Sequence, residues 1–233
     1  MDNHNWWRTK EGFCWLAAVR GMARGFTYPD AEWVSLLLSG QWAGALREVL
    51  EPLCLLEHAE EIDAACRALS DDAGEALQAL QVEYTYLFIN AVPRVPAPPY
   101  ASAYDADGLL MGEPAEEAIR TYRRLGLGLA EGYRDLPDHI AAELEFVARA
   151  GDLVIGCHEA GDETQRSEYL FEQQRFLGGH MRRWVPLFCR RVNQAARLPF
   201  YRVLSRLVEA LIAGEDFLLS SPPGQFSVEE AKR

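Results

Sequence analysis

Three features of the sequence predict an all-α fold. Apolar residues recur at helical spacing along nearly the whole chain, no stretch alternates apolar and polar residues as a half-buried strand would, and the densest cluster of prolines falls in the segment 90–113. With 233 residues, 49% hydrophobic and 25% charged, the chain is large enough to bury a sizeable core. The expectation is one globular domain over 1–233, a pack of about nine or ten helices of unequal length with one long Pro-rich ordered loop.

The first helix is expected near 11–24, stopped by Gly25, and the second near 30–38, announced by Pro29 and ended by Gly40. Helices follow near 42–55, 58–69 and 72–89, the last started by Asp71. Pro93, Pro96, Pro98 and Pro99 then exclude a continuing helix. Tyr100, Tyr104, Leu109, Leu110 and Met111 are too apolar for disorder, so this loop is expected to lie ordered across the surface, as long functional loops do. Pro114 opens a helix near 114–127. On a helix from about 137 to 160, Ile140, Leu144, Val147 and Val154 form one apolar stripe and Phe146, Ala150, Leu153 and Cys157 a second, so both its sides should be covered before Gly161 ends it. Helices near 165–181 and 183–196 precede a C-terminal one carrying Phe200, Leu204, Leu207, Val208, Leu211 and Ile212 on one face. Pro222, Pro223 and a charged end predict a frayed tail over 220–233.

A formal charge of −12 argues against a nucleic-acid binder, because that affinity comes largely from Lys and Arg on phosphates. Asp2 stands early with no apolar stretch before the first charges, and no apolar run approaches the ~20 residues that span a bilayer, so a cytoplasmic protein without stable membrane insertion is expected. Cys14, Cys54, Cys66, Cys157 and Cys189 are odd in number and scattered among apolar neighbours, as reduced, buried thiols are. His139 and Glu143 are one turn apart and could share a metal, but no third ligand is evident and no Glu-x-x-His pair exists. Gly126-Leu-Gly128 lacks the third glycine of a dinucleotide fingerprint and reads as a helix end and turn. No nucleophile or phosphate-loop motif is present, so no enzyme activity and no cofactor are expected. Arg182, Arg183, Arg190, Arg191, Arg197, Arg202 and Arg206 follow one another without an intervening acid; they form either a solvated face or a site for a phosphate-bearing ligand or an acidic partner.

Three segments together are more specific than any of these features. Glu83-Tyr84-Thr85-Tyr86-Leu87-Phe88 ends a helix with aromatic-x-x-Leu-Phe, Pro98-Pro99-Tyr100-Ala101-Ser102-Ala103-Tyr104 lies in the loop, and Asp135-Leu136-Pro137-Asp138-His139 opens the long helix. They resemble the hallmark segments of the TorD/DmsD family of redox-enzyme maturation chaperones, and the run 172–186 followed by Phe200-Tyr201 resembles that family's C-terminal pattern. The resemblance is clearest over 75–218. The family's turn often carries Glu just before its Pro, where this chain has Asp135-Leu136.

The resemblance implies an all-α cytoplasmic chaperone. Its partners would be the twin-arginine signal peptide and the apo catalytic subunit of a molybdopterin oxidoreductase, held back until its cofactor is inserted. It implies a peptide-binding role for Tyr84, Leu87, Phe88, Pro99, Tyr100, Ser102, Tyr104, Pro137, Asp138 and His139. The chemistry of the partner agrees: two guanidinium groups followed by an apolar stretch call for carboxylates, from Asp105, Asp107, Asp135 and Asp138, beside an apolar groove. By residue type alone, Tyr84, Leu87 and Phe88 make an ordinary core stripe, Asp138 a first-turn helix acid, and His139 a satisfied buried histidine. Two alternatives stand beside the chaperone reading: a protein that binds or processes a guanine nucleotide or the molybdenum cofactor, and a plain helical adaptor.

Overall fold

The computed structural model describes residues 3–106, 108 and 110–213, so Asp107, Leu109 and the tail from 214 lie outside the described residues. Among the described residues ten α-helices follow one another: α1 (Lys10–Gly25), α2 (Ala31–Leu38), α3 (Gln41–Leu50), α4 (Leu56–Arg67), α5 (Ala73–Tyr84), α6 (Glu113–Arg124), α7 (Ile140–Ala160), α8 (Glu163–Phe176), α9 (Arg182–Ala195) and α10 (Pro199–Ala213). No strand occurs among the described residues; the sole ladder-like contact is an isolated bridge between Tyr100 and His139.

Helix starts are set by side-chain caps. Thr9, Asp30, Asp72 and Asp162 each accept a hydrogen bond from a backbone N–H of the first turn, so α2 begins after Asp30 rather than at it, and α5 is capped by Asp72 rather than Asp71. Gly161, with φ of 74°, supplies the left-handed residue that closes α7. Pro137, Asp138 and His139 form a turn ahead of α7 instead of its first residues, because the His139 imidazole acts as the cap.

One apolar core runs through the described helices. α7 is covered by α1 on one side and α8 on the other, as its two stripes require, and α10 packs between α9, α4 and α1. Two π-helical turns, Thr85–Ile89 after α5 and Leu177–Met181 between α8 and α9, each add a residue to a helical run and so re-aim the side chains that follow. Of the five cysteines, all unpaired, Cys66 and Cys189 are buried but Cys54 is exposed in the turn after α3. Burial pushes the Cys66 thiol up to about 12.

The N-terminal turn Asn3–Arg8 folds back on α1 and buries Trp6 and Trp7. Gly12 makes this approach possible: a Cβ there would overlap the Trp6 carbonyl, which the Thr9 N–H and hydroxyl hold at 2.9 and 3.0 Å. Gly12→Ala is therefore expected to displace the turn and destabilise the protein by about 1–3 kcal/mol, despite alanine's better helix propensity. A lower Tm with red-shifted tryptophan emission would show it; an unchanged Tm and spectrum would refute the close approach.

Candidate functional site

The long loop is fastened to the start of α7 by its own backbone. Ile140 N–H donates to the Pro99 carbonyl at 2.8 Å, Ala101 N–H to the Asp138 carbonyl at 3.0 Å, and Ser102 N–H to Asp138 Oδ2 at 2.8 Å. Tyr100 donates its hydroxyl to Asp135 Oδ1 at 2.8 Å and sets its ring edge-on to His139, 5.4 Å between centroids. The Tyr122 hydroxyl reaches the Pro137 carbonyl at 2.8 Å from α6. Two of the three hallmark segments thus meet in one clasp. The first adjoins it, since Ala97 N–H donates to the Leu87 carbonyl at 3.0 Å.

Within this clasp the sequence-predicted residues divide into two groups. Tyr84, Leu87, Phe88, Pro99, Ser102, Pro137, Asp138 and His139 are buried, Asp138 at 0% exposure and His139 at 2%. Tyr84 donates its hydroxyl to the Phe26 carbonyl at 2.9 Å, and Phe88 packs edge-on against Tyr84 and Tyr201. Asp138 and His139 do not project outward: Asp138 Oδ2 holds the Ser102 N–H of the loop and His139 Nδ1 caps α7, while Asp138 Oδ1 and His139 Nε2 stay buried without a hydrogen-bond partner. Tyr100 and Tyr104 are half-buried, and Asp105 is exposed.

Electrostatics follow from that burial. Desolvation lowers the His139 pKa despite the nearby Asp135 and Asp138 charges, so the ring stays neutral; its Nδ1 accepts from Ala141 N–H at 3.1 Å, which puts the proton on Nε2. Asp135 Oδ2 lies 3.7 Å from that Nε2. Burial and then the Asp135 hydrogen bond raise the Tyr100 pKa, keeping its hydroxyl protonated as a donor. Glu143 finds its partners elsewhere than at His139. It pairs with His180 Nε2 at 2.6 Å and accepts from Trp184 Nε1 at 3.0 Å, and among the described residues no group of three ligand-type side chains could hold a metal ion.

Beside the clasp lies a cleft of about 620 Å³ between α1, α7 and the segment 125–135, within the range of small-ligand and peptide sites. Ala23, Leu127, Leu129, Tyr133, Ala142 and Phe146 supply most of its apolar wall. Three arginines on its rim are each closed on a carboxylate: Arg20 on Asp152 at 2.7 Å, Arg24 on Asp30 at 2.6 Å and Arg149 on Glu145 at 2.9 Å. Asp135, two residues beyond Tyr133 and 40% exposed at its side chain, has no arginine within 4.0 Å among the described residues. The sequence holds little sign of this cleft, since its wall joins α1 to a loop over a hundred residues away and carries no motif of its own.

The profile of the family described as nitrate reductase delta subunit matches residues 55–190, more than half of the chain and all three hallmark segments. The chain belongs to this family. Relatives include the chaperone protein TorD of Vibrio cholerae, 30% identical over 141 residues, that of Vibrio parahaemolyticus, 29% over 152, and that of Aeromonas salmonicida, 28% over 158. The match covers 60% of this chain and 62% of the V. cholerae protein, and 68% of each partner for the A. salmonicida one. The fold is also that of an Archaeoglobus fulgidus crystal structure assigned as a redox enzyme maturation protein: TM-score 0.52, 24% identity, 83% of this chain and 93% of that one. Within the family match, residues 55–190 carry the clasp and the α7 wall of the cleft, whereas the α1 wall lies outside it.

Proposed function

We propose that this delta-subunit-family chain is a non-enzymatic maturation chaperone of the cytoplasm, folded as one domain. It would bind the twin-arginine signal peptide of an apo molybdopterin oxidoreductase in the cleft between α1, α7 and the segment 125–135. The observation that carries this reading is an apolar cleft of about 620 Å³ whose lining residue Tyr133 stands two positions before Asp135, an exposed carboxylate with no arginine within 4.0 Å among the described residues. The apolar stretch of the signal would bury against Ala23, Leu127, Leu129, Ala142 and Phe146, and a guanidinium would meet Asp135. Tyr100 and the buried Asp138 and His139 act as positioning residues, fixing Asp135 and the loop before the peptide arrives. The named TorD relatives support the chaperone role. A guanine nucleotide or molybdenum cofactor fits this cleft less well, because Arg20, Arg24 and Arg149 on its rim are already committed to carboxylates.

Asp135→Asn keeps an oxygen to accept from Tyr100 and Leu136 N–H but removes the charge. It is expected to weaken a twin-arginine peptide by about 1.5–3 kcal/mol, tenfold or more, with no change in Tm. Ala142→Trp, which fills the cleft, is expected to abolish binding. Calorimetric titration with the peptide and its twin-lysine analogue decides it: unchanged affinity in both variants would remove the cleft from the binding site.

A further inference from the structure

Among the described residues, the exposed face of α9 gathers arginines with no carboxylate partner, in a strongly acidic chain. Arg183, Leu187, Arg190, Arg191 and Gln194 are exposed at i, i+4, i+7, i+8 and i+11, a single stripe about three turns long. Leu187 sits 41% exposed between one arginine a turn before it and two a turn after it. Arginines elsewhere, such as Arg20, Arg120, Arg166 and Arg175, close on carboxylates, but no described carboxylate lies within 4.0 Å of Arg183, Arg190 or Arg191. The acids nearest to this face do not neutralise it. Asp105, Glu113 and Glu117 share a cavity of about 100 Å³ with Arg183; Asp105 makes no ion pair within 4.0 Å among the described residues, Glu113 is taken by Arg120, and Glu117 by Arg175 and His180. Glu209 of α10 lies near Cys189 and makes no ion pair within 4.0 Å among the described residues.

A second observation separates this stripe from an ordinary solvated face. Arg191 lies over the Tyr104 ring at 4.7 Å, and that ring is backed by Trp184 at 5.5 Å and Phe188 at 6.3 Å. Two residues past the helix, Arg197 lies over Tyr86 at 3.5 Å. Aromatic stacking fixes a guanidinium while leaving its N–H donors free, which lowers the entropy lost when a carboxylate arrives.

From this geometry we infer that the α9 face is a docking surface for an acidic amphipathic helix of a partner protein, distinct from the α1/α7 cleft. Charge complementarity selects the occupant. The stripe reads cation, apolar, cation over two turns, and its complement is a helix with glutamates or aspartates flanking an apolar side chain at the same spacing. Nucleic acid is disfavoured by the net charge of −12, and an isolated phosphate would not need the leucine.

The test uses the full chain and a fluorescein-labelled helical peptide of Glu and Leu with that spacing, alongside its Gln/Leu and Glu/Ser analogues. The Glu/Leu peptide is expected to bind at least about tenfold more tightly than either analogue and to weaken as salt rises. Arg183→Gln/Arg190→Gln/Arg191→Gln should lose about tenfold or more, and Leu187→Ser several-fold, with Tm and twin-arginine peptide affinity unchanged. The inference is overturned if the arginine variant binds the Glu/Leu peptide as the parent does, or if the Glu/Ser analogue binds equally. Tighter binding of heparin or phosphatidylglycerol vesicles, lost in the same variant, would overturn it in favour of a phosphate-bearing polymer or membrane.

Discussion

Leu87→Asp is expected to unfold the protein rather than to disable a binding surface. Leu87 is fully buried within the π-helical turn, where its carbonyl ties down Ala97 and its neighbour Phe88 packs on Tyr84 and Phe26. An unpaired carboxylate at that position costs several kcal/mol, about 4 or more, against a typical total stability of about 5–15 kcal/mol. Circular dichroism and urea titration would show a largely unfolded chain, whereas Leu87→Ala, losing about 2–5 kcal/mol, should remain folded with a lower midpoint. A Leu87→Asp protein with a normal melt and no peptide affinity would instead place Leu87 on the binding surface.

His180→Ala should be comparably damaging, because it strands Glu143 as a fully buried carboxylate. The loss expected is about 3–5 kcal/mol, only partly offset by the remaining Trp184 hydrogen bond at 3.0 Å. The same pair predicts a pH dependence. Burial disfavours the His180 imidazolium, but the charge and hydrogen bond of Glu143, joined by Glu117 at 3.4 Å, outweigh it and raise the His180 pKa above 6.5. Burial first, opposed by His180, raises Glu143 as well, so the pair holds its proton to higher pH than the unfolded chain does. A raised folded-state histidine pKa contributes stability fully present below about pH 6.5 and lost as pH climbs through the folded value. Urea midpoints should therefore fall on the alkaline side of pH 6.5. In Glu143→Gln, which can still accept from Trp184, that slope should flatten; an equal slope in the variant would assign the titration elsewhere.

Local chemistry made most of the secondary structure readable in the sequence. Apolar spacing on α7 and α10 and prolines 93 to 99 fixed helices and loop to within a few residues, while the ends shifted where a side-chain cap took over, as at Asp30, Asp72 and His139. The hallmark segments 83–88, 98–104 and 135–139 were also visible, together with the family they signify.

What each residue in those segments touches depended on tertiary packing. Sequence cannot distinguish an outward acid from a buried one, and Asp138 is buried because Ser102 N–H, 36 residues away, needs its carboxylate. It cannot pair Glu143 with His180 in place of His139, because a π-helical turn 34 residues downstream of Glu143 aims that imidazole inward. The cleft wall and the ring-stacked arginines likewise join residues distant in the chain. Periodicity and capping act over a few residues and are written locally, so the sequence by itself determined the helices, the loop and the family. Burial, partner choice and cavity shape depend on which elements converge, and those were decided only by the tertiary structure.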